Sequence, residues 1–162
     1  LCGAAFFSTQ LSMIGRVDDT AKFREDDLKA YEPYPDYGIT ARFPWSKNVT
    51  DKHDAPCQPM YGAMDPCYCP LANLGPRLEY HFELFPGENA FIFSYSDLDD
   101  PVHIKERICR VLNSALQGEG FHVDQIGLLG THSIRKCAVT FSHGNGCSRV
   151  SFVLLLIFQT LF

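Results

Sequence analysis

The sequence predicts a mainly α-helical domain that carries a small antiparallel β-hairpin or sheet, an α+β class. Three observations carry this. Apolar residues recur at helical spacing after Asp100 and again after Thr131. One run has period two: Tyr37, Ile39, Ala41 and Phe43 alternate with Gly38, Thr40 and Arg42, the mark of a half-buried strand. Clusters of proline, glycine and polar residues separate these segments. With 162 residues, 46% of them hydrophobic and 20% charged, the chain has apolar material for one compact domain.

Taken in order, Leu1 to Ile14 is mostly apolar and small, reads as the end of a buried helix and delivers Arg16 just beyond Gly15. Residues 18 to 29 are charged, with Phe23 and Leu28 facing inward. The Pro and Tyr cluster from Tyr31 to Tyr37 breaks any helix. The alternating strand then leads to Lys47, and the polar run Ser46 to Pro56 reads as a hairpin tip or long turn. Cys57 to Tyr61 is its returning strand. Leu71 to Leu84 is expected to be helical, with Pro76 near enough to its start to be tolerated. Ala90 to Tyr95 is a short aromatic run. Asp100 and Pro101 then form the N-cap and first residue of the clearest helix, whose inner face is Ile104, Ile108, Val111, Leu112 and Ala115. Gly118 and Gly120 end it, and Gly127 and Gly130 bracket the loop to the final helix.

Seven cysteines, an odd number without regular spacing, suit a reducing compartment and predict free thiols. The first eleven residues have neither a basic stretch nor a small-residue cleavage site, so no signal peptide is expected and the chain reads as the middle of a longer protein. The net charge of −5 is unevenly spread. Residues 1 to 100 hold eight Lys/Arg against sixteen Asp/Glu, whereas residues 101 to 162 hold six against three. The C-terminal part is therefore the basic one. Residues 150 to 162 are mostly apolar but fall short of the roughly twenty needed to span a bilayer, so no membrane partner is expected.

The most informative segment is Leu129-Gly130-Thr131-His132-Ser133-Ile134-Arg135-Lys136. A helix opening at Thr131, a good N-cap residue, puts His132 and Arg135 on neighbouring positions of one face. Ile134, Cys137, Ala138 and Phe141 then form the buried stripe opposite. Free N–H groups at the helix start add an anion-binding element.

This wording, followed by Ala138, Thr140, Phe141, Gly144 and Gly146, resembles the H-x-x-R segment of the tyrosine recombinases, the phage-integrase family of DNA strand-exchange enzymes. The flanking residues are most similar to the eukaryotic Crypton-type branch. The resemblance covers roughly residues 8 to 149 and implies a partial catalytic core: a helical domain with a small sheet inserted after the first arginine. It implies site-specific cleavage and rejoining of double-stranded DNA, hence DNA integration and recombination, by DNA-bound multimers without metal or nucleotide cofactor. For a eukaryotic host it implies a nuclear protein.

Residue by residue, the resemblance makes Arg16 and Arg135 the two arginines of the family pattern. Their planar forks match phosphate oxygens and stay protonated, as stabilising a phosphorane-like transition state requires. Asp19, three residues after Arg16, is the supporting acid. Lys47 is the hairpin lysine that protonates the leaving sugar oxygen, with Lys52 as the second candidate. His132 bonds the scissile phosphate or moves the nucleophile's proton. Lys136 meets the DNA backbone outside the reacting centre.

The sequence departs from the family in one respect. The family pattern continues to a tyrosine nucleophile, and here no tyrosine follows Tyr95. Family character ends after Cys147-Ser148-Arg149. Residues 150 to 162 are thus expected to be foreign to the domain, through a gene-model error or decay of a mobile element, and the chain to be inactive in cleavage. Two other classes compete: a recombinase remnant that binds DNA or protein without chemistry, and a domain unrelated to nucleic acid. His53, Cys57, Cys67 and Cys69 are soft ligands, but H-x3-C-x9-C-x-C matches no known zinc spacing, so no metal is expected.

Overall fold

The structure, a computed structural model, describes residues 2–43, 55, 57–118 and 131–144, and in the last of these segments the side chains of residues 133–140. Lys47, Lys52, His53 and residues 145–162 lie outside the described residues, as do the side chains of His132 and Phe141.

The architecture is α+β. Helices α1 (Cys2–Met13) and α2 (Val17–Ala21) come first, followed by a three-stranded antiparallel sheet of β1 (Leu28–Ala30), β2 (Gly38–Arg42) and β3 (Cys57–Tyr61) in the order β1-β2-β3. Helices α3 (Pro70–Leu84), α4 (Pro101–Gly118) and α5 (Thr131–Gly144) complete it. The register of β2 on β3 pairs Gly38 with Tyr61 and Arg42 with Cys57, and Leu28 of β1 lies opposite Ala41.

Helix α1 is the hub, in contact with each of the four other described helices and with β3. A helix surrounded in this way must be apolar or small on every side. Cys2, Ala5, Phe6 and Met13 are buried in the main core, and Ser8, Thr9 and Gln10 are buried with them. Phe6 packs edge-on against Phe93 with ring centroids 5.0 Å apart, and Phe23 meets Phe43 at 5.2 Å. Such pairs add about 1 kcal/mol beyond the area they remove from water.

Helix α4 starts as its sequence requires. The Asp100 carboxylate accepts from the His103 N–H at 2.9 Å, and Pro101 occupies the first helical position, where no N–H is needed. Its fully buried residues are confined to its first half, however. Ile104 and Ile108 are buried and Leu112 is half-buried, whereas Val111 and Ala115, expected inside, are exposed. Three further expectations need correcting. Tyr37 is exposed, since it closes the turn from Tyr34 and the strand begins only at Gly38. Pro76 lies inside α3, where it removes one backbone bond on the face of the helix formed by the exposed Ala72, Gly75 and Pro76. Strand β1 has no counterpart in the sequence reading.

The six described cysteines are all free thiols. Among the described residues no helix is long and apolar enough to cross a membrane, and no three His, Cys, Asp or Glu side chains gather to hold a metal.

Candidate phosphate clasp at the end of the central helix

Helix α1 stops through a tight backbone motif. The Ile14 N–H donates to the Leu11 carbonyl at 3.3 Å and the Gly15 N–H donates back to the Gln10 carbonyl at 3.1 Å, the paired bonds of a Schellman ending. The left-handed position of that motif usually holds glycine. Here Ile14 occupies it at φ 50°, a conformation that costs a β-branched residue on the order of 1–2 kcal/mol. The strain is held by packing, since Ile14 is buried against Ala138 of α5. Gly15 is required by close approach: a Cβ there would lie 3.0 Å from both the Phe43 ring and the Thr20 hydroxyl.

Arg16 follows as the N-cap residue of α2, in extended conformation. Its carbonyl accepts from the Thr20 N–H at 2.9 Å and the Thr20 hydroxyl at 3.0 Å, fixing the backbone that bears the side chain. The two acids of the first turn of α2 then diverge. Asp18 is bonded to Lys105 of α4 at 2.7 Å, which holds the lysine ammonium above its usual range. Asp19 remains on the side of Arg16 and α5.

Helix α5 docks on this end of α1 through Ala138 and Val139 against Ile14 and Leu11. The sequence reading put Cys137 on the buried stripe and Arg135 opposite. Instead Cys137 is exposed, while Arg135, Ile134 and Val139 are half-buried around a buried Ala138. The physical reason is that an arginine stem can pack on an apolar surface while its head reaches a polar partner. At this surface the apolar side chains are Ile14 and Leu11, and the carboxylate is that of Asp19.

Arg16, Asp19 and Arg135 are consequently within electrostatic reach of one another. Burial, and next the like charge of Arg16, push the Arg135 pKa below its ordinary value, and Asp19 opposes the shift. The Asp19 carboxyl is held above the usual carboxylate range by burial, against the pull of Arg16 and Lys22 and, more weakly, of Arg135. Two guanidinium groups drawn from opposite ends of the chain thus feel each other's charge, and Asp19 lies within electrostatic reach of both. Like cations held together gain from an added anion. Planar forks of this kind suit the oxygens of a phosphate.

Of the other residues read from the sequence, Lys136 is exposed one position beyond Arg135. His132 lies in the first turn of α5, three residues before Arg135. What sequence reasoning missed is a second arginine pair, Arg77 and Arg107. Arg77 is only 2% exposed. A signal was present, because Arg77 and His81 interrupt the helical stripe Leu74, Leu78 and Phe85, and polar residues on an apolar stripe are buried with it.

Compared with known proteins, the chain matches no protein-family model, no curated protein and no solved structure.

Proposed function

We propose that this chain is the DNA-binding part of a tyrosine recombinase catalytic core, with Arg16 and Arg135 clasping one phosphate of double-stranded DNA. The observation that carries the reading is the convergence of Arg16, Asp19 and Arg135 at the end of α1. In this reading Asp19 orients the two forks, His132 and the hairpin lysine, Lys47 or Lys52, act on the same phosphate, and Lys136 meets the backbone beside it. The partner is duplex DNA, occupied by several copies, and no cofactor takes part.

The phosphodiester carries one negative charge. Two guanidinium groups and one carboxylate leave a single positive charge to meet it, and preorganised donors of this kind stabilise the added charge of a transition state. Cleavage needs a nucleophile as well. No tyrosine follows Tyr95 within these 162 residues, so the reading extends to holding the phosphate and not to forming a phosphotyrosyl link. That observation favours a second form of the reading, a recombinase remnant that binds DNA or protein and does no chemistry.

The test is a salt titration of duplex-DNA binding, comparing wild type with Arg135→Ala and Arg16→Ala. Each substitution should weaken binding about tenfold and lower the slope of log affinity against log salt by about one, as the loss of one phosphate contact requires. Equal and negligible binding by all three proteins would remove DNA from the reading.

A further inference from the structure

The three-stranded sheet has one covered face and one open face. Because side chains alternate along each strand, Ala41 of β2 and Met60 of β3 lie in the main core, with Leu28 and Ile39 packed against it. The opposite face carries Lys29 on β1, Thr40 and Arg42 on β2, and Pro59 and Tyr61 on β3 beside Gly38. Lys29, Pro59 and Tyr61 are exposed, and Thr40 and Arg42 are half-buried.

This face holds two cations and no acid among the described residues, in a part of the chain where acids outnumber Lys and Arg by sixteen to eight. The neighbouring acids lie outside the strands. Asp27, before β1, is buried with its carboxylate accepting from the Arg24 N–H at 3.0 Å, and Glu32 and Asp36 belong to the turn between β1 and β2.

An aromatic ring is fixed at one end of the face. A Cβ on Gly38 would lie 3.2 Å from Cδ1 of Tyr61, so the ring rests across the glycine of the paired strand, where a larger residue would displace it. Tyr31 stands edge-on to the same ring, with centroids 5.5 Å apart and planes at 89°. The Tyr61 hydroxyl is bonded to Tyr31, which holds the phenol above its ordinary range. The ring is thus held in place while 48% of the residue stays exposed, and little side-chain freedom is left to lose when something stacks on it. The other end of the face adjoins the clasp. Phe43 directly follows Arg42, and its ring is 3.0 Å from where a Cβ on Gly15 would stand, next to Arg16.

We propose that the open face of the sheet is a docking surface for single-stranded DNA, with an unpaired base stacked on the Tyr61 ring and Lys29 and Arg42 meeting phosphates of the same strand. In a duplex each base is covered by its neighbours, so an exposed ring selects the unpaired strand, and cations on the same surface follow its backbone. Lys29 lies one row of the sheet from Tyr61 and Arg42 two, roughly 7 and 14 Å along the strands. That reach suits a short run of nucleotides. The choice of DNA rests on the duplex-DNA reading of the clasp, since the face itself would hold the backbone of DNA or RNA.

The experiment measures fluorescence anisotropy of labelled oligo-dT, oligo-U and duplex DNA with the full chain. Oligo-dT should bind at least as tightly as oligo-U. Tyr61→Thr, a change that suits a strand, should weaken oligo-dT binding about tenfold, whereas Tyr61→Phe should keep it, because stacking needs the ring and not the hydroxyl. Lys29→Gln, at an exposed position, should lower the slope of log affinity against log salt by about 0.7, the value for one phosphate of a single strand, and Arg42→Gln should do the same. Absence of oligo-dT binding, equal binding by wild type, Tyr61→Thr and Lys29→Gln, or an equal loss in Tyr61→Phe and Tyr61→Thr would overturn the platform. Tighter binding of oligo-U would overturn DNA as its occupant. The duplex arm keeps the two readings apart, because the clasp is judged by duplex binding in Arg135→Ala and stands or fails independently of oligo-dT.

Discussion

The two ends of helix α1 hold the same chemical group in opposite circumstances. At the C-terminal end Arg16 and Arg135 are half-exposed, meet across segments far apart in the chain and share Asp19. At the N-terminal end Arg77 is fully buried, bonded to backbone carbonyls and flanked by tyrosine rings, and Arg107 already has its own carboxylate. The comparison teaches that guanidinium count says little about ligands. What matters is how many donors the fold has already used and whether a polymer can reach the rest. The first pair is only half-buried, whereas Arg77 of the second is closed in and already bonded to backbone carbonyls.

The difference should show most strongly in stability. Replacing Arg77 by Met strands the Ile92 and Ser94 carbonyls in the core, at about 1–3 kcal/mol each, while relieving a buried charge. A net loss of about 3 kcal/mol in urea unfolding is expected. Arg135→Ala should cost less than about 1 kcal/mol, within the range of a substitution that is not in the core. Equal losses would erase the distinction and make Arg135 a structural residue.

Protonation should separate the two ends by sign. His81, wholly buried with neither ring nitrogen bonded among the described residues, has its pKa depressed by burial and next by Arg77. Its unfolded form binds the proton more readily, so its contribution to stability is complete above the ordinary imidazole range near 6.5 and is lost as pH falls toward the depressed folded value. His81→Phe should flatten the loss of urea stability between pH 7 and pH 5. Asp19 works the other way. Its folded carboxyl binds the proton more readily than the unfolded one, so its contribution is present in acid and is lost as pH rises through the raised folded value. Asp19→Asn should remove that loss. A mutant profile parallel to wild type in either case would show that the residue is not what titrates.

How much of this was legible in the sequence follows the same division. Strands β2 and β3 and the start of α4 were readable because alternation and the Asp100-Pro101 pair are local signals. Arg16 and Arg135 could be picked out as partners only through a family resemblance, since nothing local links residues so distant. The rotation of α5 was not readable, because a half-buried arginine and an exposed Cys137 reverse the rule that orders an apolar stripe. Strand β1 has three residues with two exposed, too short for alternation to appear. Arg77 was passed over because a charged residue is normally assigned to the wet face, although its neighbours Leu74, Leu78 and His81 mark it as buried.

A smaller effect is expected from adding one methyl group to a glycine at each end of α1. Gly15→Ala forces a Cβ to 3.0 Å from both the Phe43 ring and the Thr20 hydroxyl, and both neighbours are buried. Overpacking of this kind costs about 1–3 kcal/mol. Because the displaced backbone bears Arg16, DNA affinity should fall along with the urea midpoint. Gly3→Ala also brings its Cβ to 3.0 Å from an atom, but that atom is a methyl of Val111, whose side chain is 42% exposed and can turn away. Against that minor adjustment stands the gain in helix propensity, about 1 kcal/mol in a helix interior and less in a first turn. The gain wins by a few tenths of a kcal/mol, so the urea midpoint should rise slightly while DNA binding is unchanged. A marked loss of stability in Gly3→Ala would mean that Val111 cannot move and that the N-terminal end of α1 is as tightly packed as its C-terminal end.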